Sequence, residues 1–120
     1  MSAVITLKQN KDFRRVYGRG KSCTAPALVT YCLKNRAGFC RIGITTSKKL
    51  GGAVKRNRCR RVIKEAYRGL ADECSGGWDI VFVARFRTLS AKSTDIKKIM
   101  LDQLTELGIT EGSVQDNTES

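Results

Sequence analysis

The chain has 120 residues, 41% hydrophobic and 28% charged, a composition typical of one globular domain with its own core. Its 23 Lys and Arg residues against 11 Asp and Glu residues give a formal net charge of +12, which favours a polyanionic partner. No stretch approaches the roughly 18 consecutive apolar residues of a membrane span, and the N-terminus lacks the apolar core of a signal peptide. We therefore expect a cytoplasmic protein.

The chain contains no histidine and five cysteines, at positions 23, 32, 40, 59 and 74. The lack of histidine excludes Ser-His and Cys-His nucleophile pairs, and the wide cysteine spacing argues against a zinc site. We expect the cysteines to be free thiols that act as small hydrophobic side chains in a reducing compartment. No catalytic residue and no metal ligand is predicted among the side chains.

A short helix is predicted from Asn10 to Tyr17. Phe13, Val16 and Tyr17 follow the i, i+3, i+4 spacing of a buried helix face, and Asn10 suits the N-cap. Two glycines just beyond Tyr17 end this helix.

Two strands are predicted next, over Ala27–Leu33 and Phe39–Thr46, because both segments are rich in β-branched and aromatic residues. Residues 35–38, Asn-Arg-Ala-Gly, form a turn signal between them. We expect the two strands to pair as an antiparallel hairpin.

A long helix is predicted from about Ala53 to Leu70, and it lies in the most charged part of the chain. The segment from Lys48 to Arg68 holds nine bases and one acid, Glu65, and so supplies +8 of the net charge. At about 100° per residue this helix separates into two stripes. The buried stripe consists of Cys59, Val62, Ile63, Ala66, Tyr67 and Leu70. The outward stripe, named the cationic stripe, consists of Asn57, Arg60, Arg61, Lys64 and Arg68.

The cationic stripe predicts contact with nucleic acid. It is about 17 Å long, enough to meet several successive phosphates, and arginine pairs with phosphate through two hydrogen bonds at once. Further bases lie near the helix start, at Lys48, Lys49, Lys55, Arg56 and Arg58. A merely solvated helix face is the alternative, and the near absence of acids argues against it because such faces mix both signs. The pattern does not separate RNA from DNA.

The last elements are a strand over Trp78–Ala84, whose continuous apolar run indicates a central position in the sheet, and a helix over Ser93–Leu107. The tail after Gly108 is polar and acidic, so we expect one domain over residues 1–108 and a disordered segment over 109–120. The predicted fold class is α+β, a small mixed sheet packed with helices, in the order α-β-β-(β)-α-β-α with one optional strand in brackets.

Aromatic residues and bases alternate ahead of the basic helix. The rings are Phe13, Tyr17, Tyr31 and Phe39, and the interleaved bases are Lys11, Arg14, Arg15, Arg19, Lys21 and Arg41. A surface of this kind suits unpaired nucleotides, whose bases stack on rings. The same rings also suit a plain hydrophobic core, and the sequence leaves both interpretations open.

The segment from Ser47 to Arg68 resembles the signature of the bacterial ribonuclease P protein family. The features that carry the resemblance are Ala53-Val54, Arg56-Asn57, Arg60-Arg61 and Lys64. The flanks also agree, at Asp12-Phe13 with Tyr17, at Arg41-Ile-Gly-Ile and at Trp78-Asp-Ile-Val, so the resemblance covers roughly residues 7–107. Two departures, Gly52 in place of Asn and Cys59 in place of an aliphatic residue, lie outside the cationic stripe.

The resemblance implies a protein cofactor of ribonuclease P, an endoribonuclease whose catalyst is a large RNA with bound Mg²⁺. This enzyme removes the 5′ leader of precursor tRNA. The residues that the resemblance and the charge pattern assign to the catalytic RNA are Lys48, Lys49, Lys55, Arg56, Asn57, Arg58, Arg60, Arg61, Lys64 and Arg68. Those assigned to the single-stranded leader are Phe13, Arg14, Tyr17, Tyr31 and Arg41. The resemblance also implies a left-handed crossover between parallel strands that flank the basic helix.

Two alternatives share the charge pattern. A non-enzymatic RNA-binding module, such as a ribosomal or assembly protein, would bind structured RNA without changing a cleavage rate. A DNA-binding protein would place the basic helix in a major groove and discriminate base edges.

Overall fold

The computed structural model describes residues 4–110, which form three helices and a four-stranded sheet. The helices are α1 (Asn10–Arg19), α2 (Ala53–Arg68) and α3 (Ser93–Glu106). The strands are β1 (Lys21–Ala25), β2 (Leu28–Lys34), β3 (Arg41–Thr45) and β4 (Trp78–Ala84). Short 3-10 helices occupy Lys48–Leu50, Ala71–Glu73 and Phe86–Ser90. No helix within the described residues is long and apolar enough to cross a membrane.

The strands of the sheet lie in the order β1-β2-β4-β3. β4 pairs antiparallel with β2 and parallel with β3, so its apolar run occupies the central position that the sequence predicts. The predicted α+β class with a mixed sheet is thereby confirmed. Helix α2 lies on the crossover from β3 to β4, and the left hand of that crossover stays a prediction from the family resemblance.

The strands predicted over Ala27–Leu33 and Phe39–Thr46 correspond to β2 and β3, and the antiparallel hairpin predicted between them is wrong, because β4 lies between them. β2 forms its hairpin with β1 instead. The optional strand of the predicted order is thus present, but its position at β1 is not predicted, since Lys-Ser-Cys-Thr-Ala is short, mostly polar and without apolar alternation. The connection from β2 to β3 therefore spans the width of β4. Asn35 holds this connection through hydrogen bonds from its side-chain amide to the carbonyl of Phe39 (3.1 Å) and to Asp79 (2.8 Å).

Both faces of the sheet carry helices. α2 and α3 cover one face, where Leu28, Ile80 and Phe82 are fully buried. Each such side chain stabilises the fold by roughly 1.5–3 kcal/mol. The shorter α1 covers only part of the opposite face, through a small cluster centred on Val16 and Val81. The uncovered part of this second face forms one wall of the candidate site.

The predicted helices are confirmed, with small differences at their ends. α1 continues to Arg19, and its N-cap is Gln9 without a side-chain cap hydrogen bond, so the predicted cap at Asn10 is wrong. α2 ends at Arg68 and α3 at Glu106, each slightly before the predicted end. Helix ends depend on local capping, which periodicity does not resolve.

The fold extends past the predicted domain end at residue 108. Ile109 is only 1% exposed and belongs to the main core, while Thr110 pairs with Cys74 in an isolated β-bridge. These two residues therefore belong to the domain, and their assignment to a disordered tail is corrected. Residues 111–120 lie outside the described part of the chain, so disorder there stays a prediction.

Candidate nucleic-acid interface

The inner face of α2 anchors the helix to the sheet. Five of the six residues of the predicted buried stripe are buried, and Val62 is half-buried. The ring of Tyr67 packs against Phe82 of β4 with ring centres 5.8 Å apart. This packing fixes the orientation of the opposite face, so the predicted separation of α2 into an apolar and a charged side is confirmed.

The outer face of α2 presents the cationic stripe to solvent, since all five of its residues are exposed. Lys55 is exposed as well, whereas Arg56 and Arg58 are half-buried. The guanidinium of Arg58 donates a 3.4 Å hydrogen bond to the carbonyl of Ala91, ahead of α3. Arg58 is therefore partly engaged in holding α2 against the start of α3. The cationic stripe and Lys55 therefore form the exposed basic surface of this helix.

The single acid of α2 lies beside the last base of the stripe. Arg68 donates a 2.7 Å hydrogen bond to Glu65, and the two side chains are 50% and 60% exposed. An exposed pair of this kind adds little stability, but it offsets part of the positive charge at this end of α2. The uncompensated charge of the stripe is therefore concentrated at Arg60, Arg61 and Lys64.

Lys48 and Lys49 extend the basic surface beyond the start of α2. Both are exposed on a 3-10 turn whose third residue, Leu50, is buried in the core. The hydroxyl of Ser47 caps this turn by accepting a 3.1 Å hydrogen bond from the Lys49 amide. Gly51 follows with a φ of +126°, a conformation that L side chains rarely adopt, and it redirects the chain into α2. The two lysines are thus held at a fixed place beside the helix.

Two grooves flank the cationic stripe. The first, named the β3 groove, has a volume of about 350 Å³ and is lined by Phe13, Gly43, Ile44, Arg60, Arg61 and Lys64, among others. The second, named the α3 groove, has a volume of about 450 Å³ and is lined mainly by Arg58, Arg61, Lys64, Arg68, Lys92 and Ser93. Arg61 and Lys64 line both grooves, so they form the crest between them. Lys92 lies 24 positions after Arg68, so the charge pattern of α2 does not indicate that it belongs to this basic surface.

Three rings of the predicted aromatic cluster lie together where α1 meets the sheet. Tyr17 is 39% exposed, and its ring meets Tyr31 edge to face with ring centres 4.9 Å apart. The Tyr17 hydroxyl shares a 2.6 Å hydrogen bond with the hydroxyl of Thr45 on β3. Phe13 lies over Gly43, where a Cβ atom would come within 2.5 Å of the ring. We name this surface, Phe13, Tyr17 and Tyr31, the aromatic cleft.

Phe39 does not belong to the aromatic cleft. It is 46% exposed and lines a different cavity with Cys40 and Cys74, so a core position is also excluded. The separation follows from the sheet order, because the connection that carries Phe39 runs past the end of β4.

Arg41, predicted to contact a leader, is engaged within the fold. Asp79 is fully buried and accepts hydrogen bonds from Arg41 at 2.8 and 2.9 Å, from Arg15 at 2.7 Å and from Asn35 at 2.8 Å. Burial by itself raises the pKa of Asp79, but the hydrogen bonds from Arg41, Asn35 and Arg15 outweigh it and lower the pKa below its usual value. The Asp79 cluster, these four residues, therefore joins α1, β3 and β4. Arg14, the other predicted leader base, is exposed.

A basic hollow of about 670 Å³ lies beside the Asp79 cluster. Its bases are Arg15 and Arg19 of α1, Lys34 at the end of β2, Arg36 of the β2–β3 connection and Arg41 at the start of β3. No local pattern in the sequence predicts this hollow, because its bases come from three separate segments whose meeting depends on the sheet order.

Comparisons with known proteins identify the family. The family model described as Ribonuclease P matches residues 1–108. The ribonuclease P protein component of Clostridioides difficile (strain 630) is 52% identical over 93 residues, which cover 77% of this chain and 82% of that protein. The corresponding protein of Clostridium botulinum (strain Loch Maree / Type A3) is 42% identical over 104 residues, covering 86% of this chain and 94% of the relative.

Solved structures agree with this match. The Staphylococcus aureus RNase P protein superimposes with a TM-score of 0.79 at 29% identity, covering 90% of this chain and 99% of that one. The RNase P protein from Thermotoga maritima gives a TM-score of 0.73 at 26% identity, covering 81% and 92% of the two chains. Neither of the two alternative functions accounts for a match over the whole domain. The chain therefore belongs to the ribonuclease P protein family and is a protein cofactor of ribonuclease P, the RNA-containing enzyme that matures the 5′ ends of tRNA.

Proposed function

We propose that the cationic stripe and Lys48–Lys49 bind the catalytic RNA, and that the aromatic cleft binds the single-stranded 5′ leader of precursor tRNA. One observation carries this division: the β3 groove is lined by Phe13 on one side and by Arg60, Arg61 and Lys64 on the other. A strand that leaves the aromatic cleft along β3 therefore reaches the basic helix without crossing the core.

The charge and shape of α2 suit a folded RNA. The exposed stripe runs for about 17 Å, and its arginines present planar donor groups that match phosphate oxygens. Because a groove lies on each side of Arg61 and Lys64, an RNA strand can contact these two residues from either side. Binding would also relieve the repulsion among the bases of α2, so RNA contact and stability of the helix would be linked.

The aromatic cleft suits an unpaired strand. Its tyrosines offer ring surface, and stacking on such rings is worth about 1–3 kcal/mol per base. The Tyr17–Thr45 hydrogen bond and the Phe13–Gly43 contact hold the rings in place before a ligand arrives. Exposed Arg14 on α1 adds a base for the leader phosphates. Arg41 contributes less to this contact, because its Nε and one of its two Nη atoms donate hydrogen bonds to Asp79.

Catalysis belongs to the RNA partner and its Mg²⁺ in this proposal. Within residues 4–110 no cluster of three His, Cys, Asp or Glu side chains is arranged to hold a metal ion. Both carboxylate oxygens of buried Asp79 already accept hydrogen bonds from cationic or amide groups, so this donor set does not fit Mg²⁺. The complex would work in the cytoplasm, where free thiols persist.

Reconstitution tests the proposal. The chain is mixed with a bacterial ribonuclease P RNA and a precursor tRNA at low Mg²⁺, where phosphate repulsion limits the RNA alone. We expect a faster cleavage that yields the mature 5′ end. A protein that binds the RNA but stimulates no cleavage at any Mg²⁺ concentration would overturn the proposed role.

A further inference from the structure

Two of the five cysteines come together in the fold. Cys40 immediately precedes β3, and Cys74 lies in the connection that leads into β4. The parallel pairing of β3 and β4 sets Arg41 opposite Asp79, and it brings these two connections side by side. The two side chains thereby reach the walls of the same cavity. They also contact backbone carbonyls, Cys40 that of Gly76 and Cys74 that of Leu70, each at 3.6 Å.

The pair opens onto a cavity that reaches solvent. This cavity has a volume of about 340 Å³, and its lining includes Phe39, Cys40, Tyr67, Cys74 and Gly76. Both cysteines are half-buried. Its size and position give a small reagent access to the sulfur atoms, and neither the cationic stripe nor the aromatic cleft contributes to its walls.

The remaining cysteines lack this setting. Cys32 and Cys59 are buried in the core, and Cys23 is half-buried on β1 at the far edge of the sheet. Burial is the main cause that raises the pKa of each of these three thiols. A raised pKa leaves little thiolate at neutral pH, and the thiolate is the reactive form.

The two paired thiols differ in their readiness to ionise. The neighbouring Cys74 thiol lowers the pKa of Cys40 to about 7, against the opposing effect of burial. The neighbouring Cys40 and burial together raise the pKa of Cys74. Tyr67, which lines the same cavity, acts in the opposite sense and lowers the pKa of Cys74. The cavity thus contains one thiol suited to attack and a second thiol beside it.

We propose that Cys40 and Cys74 form a reversible dithiol–disulfide site that is oxidised by low-molecular-weight disulfides. The Cys40 thiolate attacks one sulfur of the reagent RSSR, an S–S bond breaks, and RS⁻ leaves, so Cys40 carries a mixed disulfide. Cys74 then loses its proton to solvent and attacks the Cys40 sulfur, expelling the second RS⁻. The balance is two protein thiols oxidised to one disulfide and one RSSR reduced to two RSH.

The proposed bond would act on the element that carries the basic surface. It closes a loop from Cys40 to Cys74 that contains Lys48, Lys49 and all of α2. A cross-link of this kind restricts the unfolded chain while leaving the outer face of α2 in place. We expect the midpoint of thermal unfolding to rise by about 5–15 °C on oxidation.

Peptide mapping of the oxidised full-length chain tests the site. The reduced protein is incubated with oxidised glutathione at neutral pH, quenched with an alkylating reagent and digested without reduction. We expect the Cys40–Cys74 cross-linked peptide to form at least tenfold faster than any adduct at Cys23, with two of the five thiols lost. Equal modification of Cys23 and Cys40, or a Cys40 adduct that never resolves, would overturn the proposal.

Single substitutions separate the two roles. Cys74→Ser is expected to trap the glutathione adduct on Cys40, whereas Cys40→Ser is expected to leave Cys74 unmodified over the same period. Cys23→Ser is the matched control and is expected to form the cross-link at the wild-type rate. Tyr67→Phe keeps the buried ring and removes the hydroxyl, and it should slow the second step alone. A cross-link between Cys74 and another cysteine in the Cys40→Ser variant would contradict the proposal that Cys40 is the attacking thiol.

Discussion

The arginines of α2 and those around Asp79 show how one residue type takes two roles in a small domain. Arg60 and Arg61 project from the outer face of α2 and line open grooves. Arg15 and Arg41 bind a fully buried carboxylate and join α1 to two strands. Both sets contribute equally to the net charge. The two sets differ in the groups that their guanidinium groups contact. A high local density of bases therefore indicates an interface only where no buried acid accepts hydrogen bonds from those bases.

We expect the largest effect, a loss of stability, from replacing Asp79, the acid that binds Arg15 and Arg41. Asp79→Asn keeps the shape of the side chain but leaves two guanidinium groups without their carboxylate, so the free energy of unfolding should fall by about 3 kcal/mol. Urea unfolding measures the change. Asp102→Asn on the exposed face of α3 is the control, expected to stay within about 0.5 kcal/mol of wild type. Equal stability of the two variants would mean that the Asp79 cluster does not hold the fold.

The same cluster predicts an acid dependence of stability. The folded-state pKa of Asp79 lies below its usual value of 3.8, so its contribution is present at higher pH and is lost as pH falls through the folded pKa. The free energy of unfolding should therefore decline as the pH falls below about 4. The decline should be smaller in Asp79→Asn, measured by urea titrations at successive pH values. Parallel pH profiles of the two proteins would contradict this account.

An intermediate effect is expected from the aromatic cleft, which lies on the same sheet face as the Asp79 cluster. Tyr17→Ala should weaken binding of precursor tRNA to the reconstituted enzyme by about tenfold, since a stacked base contributes about 1–3 kcal/mol. Mature tRNA, which has no leader, should bind as before. Phe86→Ala removes a ring that is 65% exposed and lies outside the cleft, and it should change neither affinity. Equal losses of affinity for precursor and mature tRNA would mean that Tyr17 has a structural role and does not bind the leader.

The smallest effect is expected within the cationic stripe itself. Lys64→Ala should weaken binding to the catalytic RNA about fivefold, equivalent to ~1 kcal/mol. Arg68→Ala should weaken it less than twofold, because Glu65 already accepts a hydrogen bond from Arg68. Filter binding at one fixed salt concentration compares the two variants. A larger loss for Arg68→Ala would show that the ion pair opens when RNA binds.

Much of this fold follows from the sequence, and the exceptions share one cause. The apolar run of β4 and the two-sided pattern of α2 are local features, so their positions are predicted closely. The partner of β2 is not a local feature. β1 carries no apolar alternation, and the insertion of β4 between β2 and β3 depends on a pairing across about 45 residues of chain.

The candidate site shows the same limit. The cationic stripe is predicted in full because one helix carries it. The bond between Arg41 and Asp79 is not predicted, because the two residues lie 38 positions apart and meet only through the β3–β4 pairing. The meeting of Cys40 and Cys74 at one cavity depends on that pairing as well. Sequence periodicity therefore predicts which side chains a single helix or strand exposes. The sheet order then decides which of those side chains are bonded within the fold and which can bind a ligand.

The salt dependence of RNA binding distinguishes arginines that contact phosphate from arginines that hold the fold. The affinity of the catalytic RNA for Arg61→Ala and Arg41→Ala is measured over a series of salt concentrations at which both variants are folded. We expect Arg61→Ala to lower the slope of log affinity against log salt by about one unit, because one phosphate contact is lost. Arg41→Ala should keep the wild-type slope while its free energy of unfolding falls by about 2 kcal/mol. An unchanged slope for Arg61→Ala together with a reduced slope for Arg41→Ala would contradict the division of roles between the cationic stripe and the Asp79 cluster.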